Sequence, residues 1–234
     1  MKNTFFVLIL IFIVSGCTKY ENHNEDFLLD NLFKEKDKRL HIYSAVNTDD
    51  KILYWNEEFD NNDSKWPADT SIVYTDANVS MENGKMIIDF WKESFYCGLP
   101  ITINEKRNFE LEMRMYWRIQ NVGLYQFETP TDSTHCYGVF LRNFGNEILF
   151  SLDEIKDEWG GWRHVIRTTN ISGFINVNDY NLITIRKIDS EYSVFINEAY
   201  IHTFDERVFS CNPTWFVTYE GINKFDYFRV SYLK

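Results

Sequence analysis

The chain has 234 residues, of which 24 are Lys or Arg and 35 are Asp or Glu, giving a formal net charge of −11. Aromatic residues make up 18% of it, with 7 Trp, 14 Tyr and 20 Phe. So acidic a chain repels nucleic acid and anionic headgroups, and no basic cluster overrides that, which excludes nucleic-acid binding. The length suits one sandwich-sized domain plus a tether, and the wealth of aromatic and β-branched residues favours pleated, half-buried surfaces.

The N-terminus is a targeting segment. Lys2 supplies a positive start, and Phe5–Val14 is a ten-residue apolar run, too short to span a bilayer as a helix of about 20 residues. Ser15-Gly16-Cys17 follows. This ending resembles the lipobox of bacterial lipoproteins, which implies removal of residues 1–16 and lipidation of Cys17. The mature chain would keep 218 residues and, losing Lys2, carry 23 basic against 35 acidic residues, or −12. An ordinary secretory signal with a chance cysteine is the alternative.

Residues 17–50 read as the lipidated cysteine and a polar tether. Lys19–Asp26 has no apolar period, and Phe27, Leu28, Leu32 and Phe33 fall at helical spacing, so a short amphipathic helix is expected over 26–37. One domain is expected over 51–234. In it, Val79–Trp91 reads as a hairpin turning at Asn83-Gly84, with Met86, Ile88 and Phe90 on one face. Phe109–Ile119 is apolar at every odd position, while the even positions are Glu110, Glu112, Arg114, Tyr116 and Arg118. That alternation predicts a long strand with a buried odd face and an exposed even face. Strands are further expected over Tyr137–Arg142, Glu147–Leu152, Trp162–Thr168, Leu182–Ile188, Tyr192–Ile196, Ala199–Phe204, Trp215–Tyr219 and Phe225–Leu233. Many short strands without a convincing long helix predict an all-β, two-sheet antiparallel sandwich.

The order of several segments resembles one family. Trp55-Asn56-Glu57-Glu58-Phe59-Asp60-Asn61-Asn62 with Trp66-Pro67, Val79–Met86, Tyr137–Leu141, Tyr180–Lys187 with Tyr192–Glu198, and Phe225–Val230 are similar to the successive motifs of concanavalin A-like (laminin G-like) lectin and glucanase domains. The likeness covers roughly residues 52–234 and implies a jelly roll of two curved sheets. It departs at Asn197-Glu198, where the family usually has Asn-Gly, which leaves the type of that turn open.

Retaining glycoside hydrolysis needs two carboxylates about 5 Å apart, and same-face strand residues can supply them. Glu110 and Glu112 are the candidates, but Arg114 stands where a third acid is expected in glucanases of this fold. The Asp153–Glu158 run puts its carboxylates on mixed faces. Solvated surface charge is the alternative for both. No Gly-x-Ser-x-Gly, CxxC or HExxH occurs, and His135 and His164 read as single polar residues. No cofactor is expected. The resemblance implies at most a structural calcium ion, for which Asp60, Asp63 and Asp226 are the candidate ligands, with plain surface roles as the alternative. Cys97, Cys136 and Cys211 allow three single disulfides or three buried thiols.

Binding is the more natural expectation. Sugars ask for aromatic faces and polar side chains, which Trp91, Tyr116, Arg118, Arg142 and Trp162 would offer if their strands were neighbours in one sheet. The sequence thus reads as a non-catalytic binder of carbohydrate or another envelope polymer. A membrane lipid anchor would hold it at the outer membrane or cell surface, with protein partners in a glycan-handling complex. A glycoside hydrolase, or a structural and protein-interaction module without a sugar ligand, are the competing readings.

Overall fold

The structure is a computed structural model that describes residues 37–61, 66, 77–90, 95–98, 101–104, 106–117, 123–128, 135–144, 147–156, 162–205, 215–218 and 221–234. The signal segment, Cys17 and, but for Asp37, the helix expected over 26–37 lie outside these residues. Among the described residues no helix is long and apolar enough to cross a membrane.

Among the described residues, fourteen strands form two antiparallel sheets. The larger sheet contains β1 (Lys51–Glu57), β2 (Ala77–Met81), β3 (Met86–Phe90), β5 (Phe109–Trp117), β10 (Asp179–Ile188), β11 (Glu191–Ile196), β12 (Ala199–Asp205) and β14 (Gly221–Leu233). Its order is β12-β11-β10-β5-β14-β3-β2, with β1 also on β14. The smaller sheet runs β4 (Phe95–Gly98), β13 (Trp215–Thr218), β6 (Gly123–Glu128), β7 (His135–Phe144), β8 (Glu147–Lys156), β9 (Trp162–Asn170). β14 is long enough to pair with β5 along one edge and with β3 and then β1 along the other.

Period-two burial closes the sandwich. Phe109, Leu111, Met113 and Met115 of β5 are buried, as the alternation predicts. They share one core with Met86, Ile88, Ile183, Ile185, Val194, Phe225, Phe228 and Val230 of the same sheet and with Leu141, Ile148 and Phe150 of the other. Burying side chains of this size contributes about 1.5–3 kcal/mol each, the dominant favourable term. β1, β4 and β6 were not expected from the pattern. β1 is mostly exposed, with burial at Glu57 rather than at an apolar stripe, and β4 and β6 have only four and six residues.

Turn chemistry follows the residues. Asn83 and Gly84 both have positive φ (54° and 67°), the left-handed geometry that a two-residue hairpin needs. Asn197 and Glu198 do the same (φ 49° and 69°), so the missing glycine leaves the turn type unchanged. Asn197 locks that turn. Its Oδ1 accepts from Leu182 N–H (2.9 Å), and its Nδ2 donates to Phe174 O (2.7 Å) and Asn181 Oδ1 (2.8 Å). The opening motif has a structural explanation too. Buried Glu57 accepts from the Phe59 N–H (2.9 Å) and from Trp66 Nε1 (2.9 Å), holding Phe59 at φ 56° while its ring packs in the core beside Trp66 and Phe228.

Residues 38–50, assigned to the tether by their polarity, belong to the compact unit spanning Lys38–Lys234. Of its three single-turn 3-10 segments (Lys38–Leu40, Tyr43–Ala45, Thr48–Asp50), the first two are bonded to Arg186 on the outer face of the larger sheet, and the third is bonded to Lys234. Leu40 and Val46 form a small satellite core with Ile188 and Leu233. Backbone hydrogen bonding, not an apolar period, fixes this segment, which is why pattern reading misses it.

The topology also bears on the cysteines. Cys97 lies on β4 and Cys136 on β7, three strands apart in one sheet. At about 4.8 Å per strand their Cα atoms stand at least about 14 Å apart, twice what a disulfide spans. Cys211 lies outside the described residues.

Candidate functional site

The outer face of the larger sheet divides into a covered half and an open half, and β5 crosses both. In the covered half, Glu110 is opposite Arg186 of β10. Both side chains are fully buried, with Arg186 Nε donating to Glu110 Oε2 (2.6 Å). Lys51 Nζ holds the other Glu110 oxygen. Arg186 spends its remaining donors on the overlying segment: Nη1 on the carbonyls of Arg39 (2.7 Å) and Ile42 (3.1 Å), Nη2 on that of Tyr43 (2.9 Å). The guanidinium lies near the rings of Phe195 (4.7 Å) and Tyr43 (5.3 Å). Glu112 is also buried, and its Oε1 accepts the Tyr43 hydroxyl (3.0 Å). Burial and then the nearby Glu112 and Glu110 charges push the Tyr43 phenol far above its ordinary value.

This corrects the expectation of a solvated even face. Glu110 and Glu112 are neither surface charges nor an accessible acid pair. Glu110 has both oxygens on cations, and Glu112 is recessed beneath Tyr43, with Lys51 Nζ at 3.7 Å and Arg229 Nη1 at 3.9 Å. The arrangement fixes the docked segment and offers no carboxyl to a glycosidic oxygen.

The open half is aromatic and cationic. Tyr116 of β5 lies opposite Tyr180 of β10 and Lys224 of β14. The Tyr116 and Tyr180 rings meet edge to face with centroids 5.4 Å apart. Lys224 Nζ sits 5.8 Å from the Tyr116 ring, Lys85 Nζ 4.6 Å and Arg114 Cζ 5.1 Å from the Tyr180 ring, all within cation–π range. A register shift between Phe225 and Tyr227 inserts Asp226 into β14. Phe225 and Phe228 stay in the core, so the extra residue lets Asp226 reach two cations on the outer face. Its Oδ1 accepts from Lys85 Nζ (2.6 Å) and its Oδ2 from Arg114 Nη1 (2.5 Å). That bond to Asp226 is the main reason the Lys85 ammonium titrates above its ordinary value. Tyr227, opposite Arg114, has its phenol raised, first by burial and then by the Glu112 charge. Arg229 stacks on Tyr227 (4.9 Å) and bonds Asn56 Oδ1 through Nε (3.2 Å).

The residues expected to converge do so only in part. Tyr116 is on the larger sheet, whereas Arg142 on β7 and Trp162 on β9 belong to the smaller one. Those strands are not neighbours, so no groove of one sheet contains all five. Trp91 and Arg118 lie outside the described residues. Of the calcium candidates, Asp226 has both oxygens on cations, Asp60 is exposed beside the Asn83-Gly84 turn, and Asp63 lies outside the described residues. Among the described residues no three His, Cys, Asp or Glu side chains group as metal ligands. Tyr180, Lys224, Lys85 and Tyr227 were missed. Tyr180 and Lys224 were detectable as the cross-strand partners of Tyr116 once strand order was known; the Asp226 bulge had no sequence signal.

No family model matches the chain, and no curated protein matches it. Solved structures do. The endo-β-1,3-glucanase of Pyrococcus furiosus superposes with a TM-score of 0.53 at 9% identity, over 79% of this chain and 95% of that one. LamAcat of Zobellia galactanivorans gives 0.50 at 11% identity, over 80% and 98%. The κ-carrageenase of Pseudoalteromonas carrageenovora, solved with an oligotetrasaccharide of κ-carrageenan, gives 0.50 at 11%, over 78% and 95%. The chain therefore has the concanavalin A-like jelly-roll β-sandwich fold of these proteins, at identities that speak for fold alone.

Proposed function

We propose that this protein is a non-catalytic binder of carbohydrate, held to the cell envelope by a lipid on Cys17. The observation that carries the binding reading is the open half of the outer face. Tyr116 and Tyr180 present rings beside the hydrogen-bonding side chains of Arg114, Lys224 and Lys85, the pairing of aromatic faces with polar donors that sugar rings and hydroxyls require. The fold is shared with proteins whose names and ligands concern polysaccharides, which favours the same class of partner. Glu110 and Glu112, engaged and recessed, favour binding over hydrolysis.

In this reading residues 1–16 direct export and Cys17 carries the acyl chains. The acidic Glu21, Glu25 and Asp26 soon after it suit delivery to the outer membrane or the cell surface, where the domain works within a glycan-handling complex. Calorimetric titration of polysaccharides tests the binding site. Tyr116→Ala and Tyr180→Ala should each weaken binding about tenfold, the loss of one stacking contact of order 1–1.5 kcal/mol. Wild-type affinity in both variants refutes this site. Sugar products that accumulate with the wild type and vanish in Glu112→Gln would replace binding by hydrolysis. Labelling with radioactive palmitate, abolished by Cys17→Ala, checks the anchor.

A further inference from the structure

The open face is equipped for charge as well as for sugar rings, against the sign of the whole molecule. In a chain of net charge −11 it gathers Lys85, Arg114, Lys224 and Arg229. The acids of the same face are Asp226, Glu112, Glu58 and Asp89. They are not equally placed. The Asp226 and Glu112 side chains are 18% and 10% exposed, whereas that of Arg114 is 47% exposed.

Asp226 has no oxygen left over, since one holds Lys85 and the other Arg114. Arg114 uses only Nη1 in that bond, and a guanidinium has five N–H donors in a planar fork suited to oxyanions. Lys224 has no carboxylate partner among the described residues; its ammonium meets only the Tyr116 ring. Lys224, Tyr116, Tyr180 and Arg114 thus make one run of contacts, with unsatisfied cationic donors at both ends and two rings between them.

We infer that this face takes a polysaccharide bearing anionic groups, sulfate esters or uronate carboxylates, with its sugar faces on Tyr116 and Tyr180 and its charges on Arg114 and Lys224. The inference rests on the carbohydrate-binding reading above and narrows it to a substrate class. An anionic group replaces water on donors that no protein acid occupies, so affinity falls with salt. The recessed Asp226 keeps Arg114 and Lys85 splayed over Tyr180 and is not itself a contact.

The test titrates the full chain, purified in detergent, with a sulfated galactan, with polygalacturonate, with a neutral β-1,3-glucan and with phosphatidylglycerol vesicles. At least one anionic polymer should bind about tenfold or more tighter than the neutral glucan, as one or two charge-assisted hydrogen bonds imply. Which anionic polymer binds tells sulfate from carboxylate. Raising NaCl from 50 to 300 mM should weaken that binding and leave the glucan unaffected. Lys224→Gln and Arg114→Gln should each lower anionic affinity about tenfold, lower neutral affinity by less, and flatten the salt dependence of anionic binding. Lys224→Gln breaks no ion pair, so an unchanged urea midpoint certifies its fold. Equal, salt-insensitive binding of charged and neutral polymers overturns this inference and leaves the carbohydrate reading standing. Failure of every polysaccharide overturns both. Vesicle binding that Lys224→Gln and Arg114→Gln weaken, with no polysaccharide bound, reassigns the face to the membrane.

Discussion

Replacing Arg186 by Met should unfasten residues 38–50 and destabilise the whole domain. The guanidinium makes four hydrogen bonds, one to Glu110 and three to the carbonyls of Arg39, Ile42 and Tyr43. Methionine fills similar volume between Tyr43 and Phe195 but supplies none of them. Removing one partner of a buried ion pair costs about 3–5 kcal/mol, because the other charge is left without compensation. Lys51 stays on Glu110 and is 18% exposed, so some water reaches the pair and the lower end of that range applies. A loss of about 3 kcal/mol is a large part of a typical stability of 5–15 kcal/mol. With a urea m-value of about 2–3 kcal/mol/M, the midpoint should fall by roughly 1–1.5 M. Amide exchange should separate local from global loosening. Ile42 and Ala45, whose N–H groups bond Lys38 O and Ile42 O, should lose more protection than the core strands. Arg186→Met/Glu110→Met removes the stranded charge and should be less damaging than the single substitution. A single-variant loss below about 1 kcal/mol, or unchanged exchange over 38–46, would refute the claim that this arginine fastens the segment.

Three further outcomes follow from geometry described above. Glu198→Gly should stabilise by about 1 kcal/mol, since φ 69° strains a side-chain-bearing residue and suits glycine; differential scanning calorimetry should show a gain of roughly 2–4 °C. Glu57→Gln turns an NH2 toward one of its two donors, Phe59 N–H or Trp66 Nε1, and should cost about 1–3 kcal/mol by urea titration. Stability should also fall at alkaline pH. Native Tyr43 and Tyr227 hold their protons above the value near pH 10 at which the unfolded chain releases them, so above pH 10 the unfolded state binds fewer protons and gains. Lys85, also raised, acts with the same sign: its contribution is complete below about pH 10.4 and is lost as pH rises through its native value. Urea midpoints from pH 8 to 11 should decline from about pH 10, less steeply in Tyr43→Phe.

The sandwich was legible because packing one face of a sheet into a core imposes a period of two, and the apolar residues of β5 keep it from Phe109 to Met115. The hairpin turns were legible for a related reason: Asn83-Gly84 is chemistry for positive φ. The Asn197-Glu198 turn shows the limit, since tertiary hydrogen bonds to Asn197 impose on Glu198 a conformation its own preference opposes. Reading the site went further astray. The even face of β5 carries Glu110, Glu112, Arg114 and Tyr116, a pattern that says only that these residues point away from the core. Whether that side meets water depends on what else lies there. A segment with no apolar period covers Glu110 and Glu112: Arg186, paired with Glu110, holds its carbonyls, which no side-chain pattern encodes, and its Tyr43 hydroxyl bonds Glu112. Tyr116 joins Tyr180 and Lys224 because β10 and β14 flank β5, and strand order is a property of the whole chain. The pairing of Arg142 and Trp162 with Tyr116 failed for that same reason.

β14 is the last strand in chain order, yet it stands in the middle of the larger sheet. Until it arrives, β5, β10, β11 and β12 form one ribbon, β2 and β3 another, and β1 has no neighbour. Residues through Leu233 must therefore be synthesised before the two ribbons can be zipped together. Such late, long-distance closure makes folding slow. If the chain is exported as proposed above, that delay would help, because it would keep the polypeptide loose while it is threaded across the membrane.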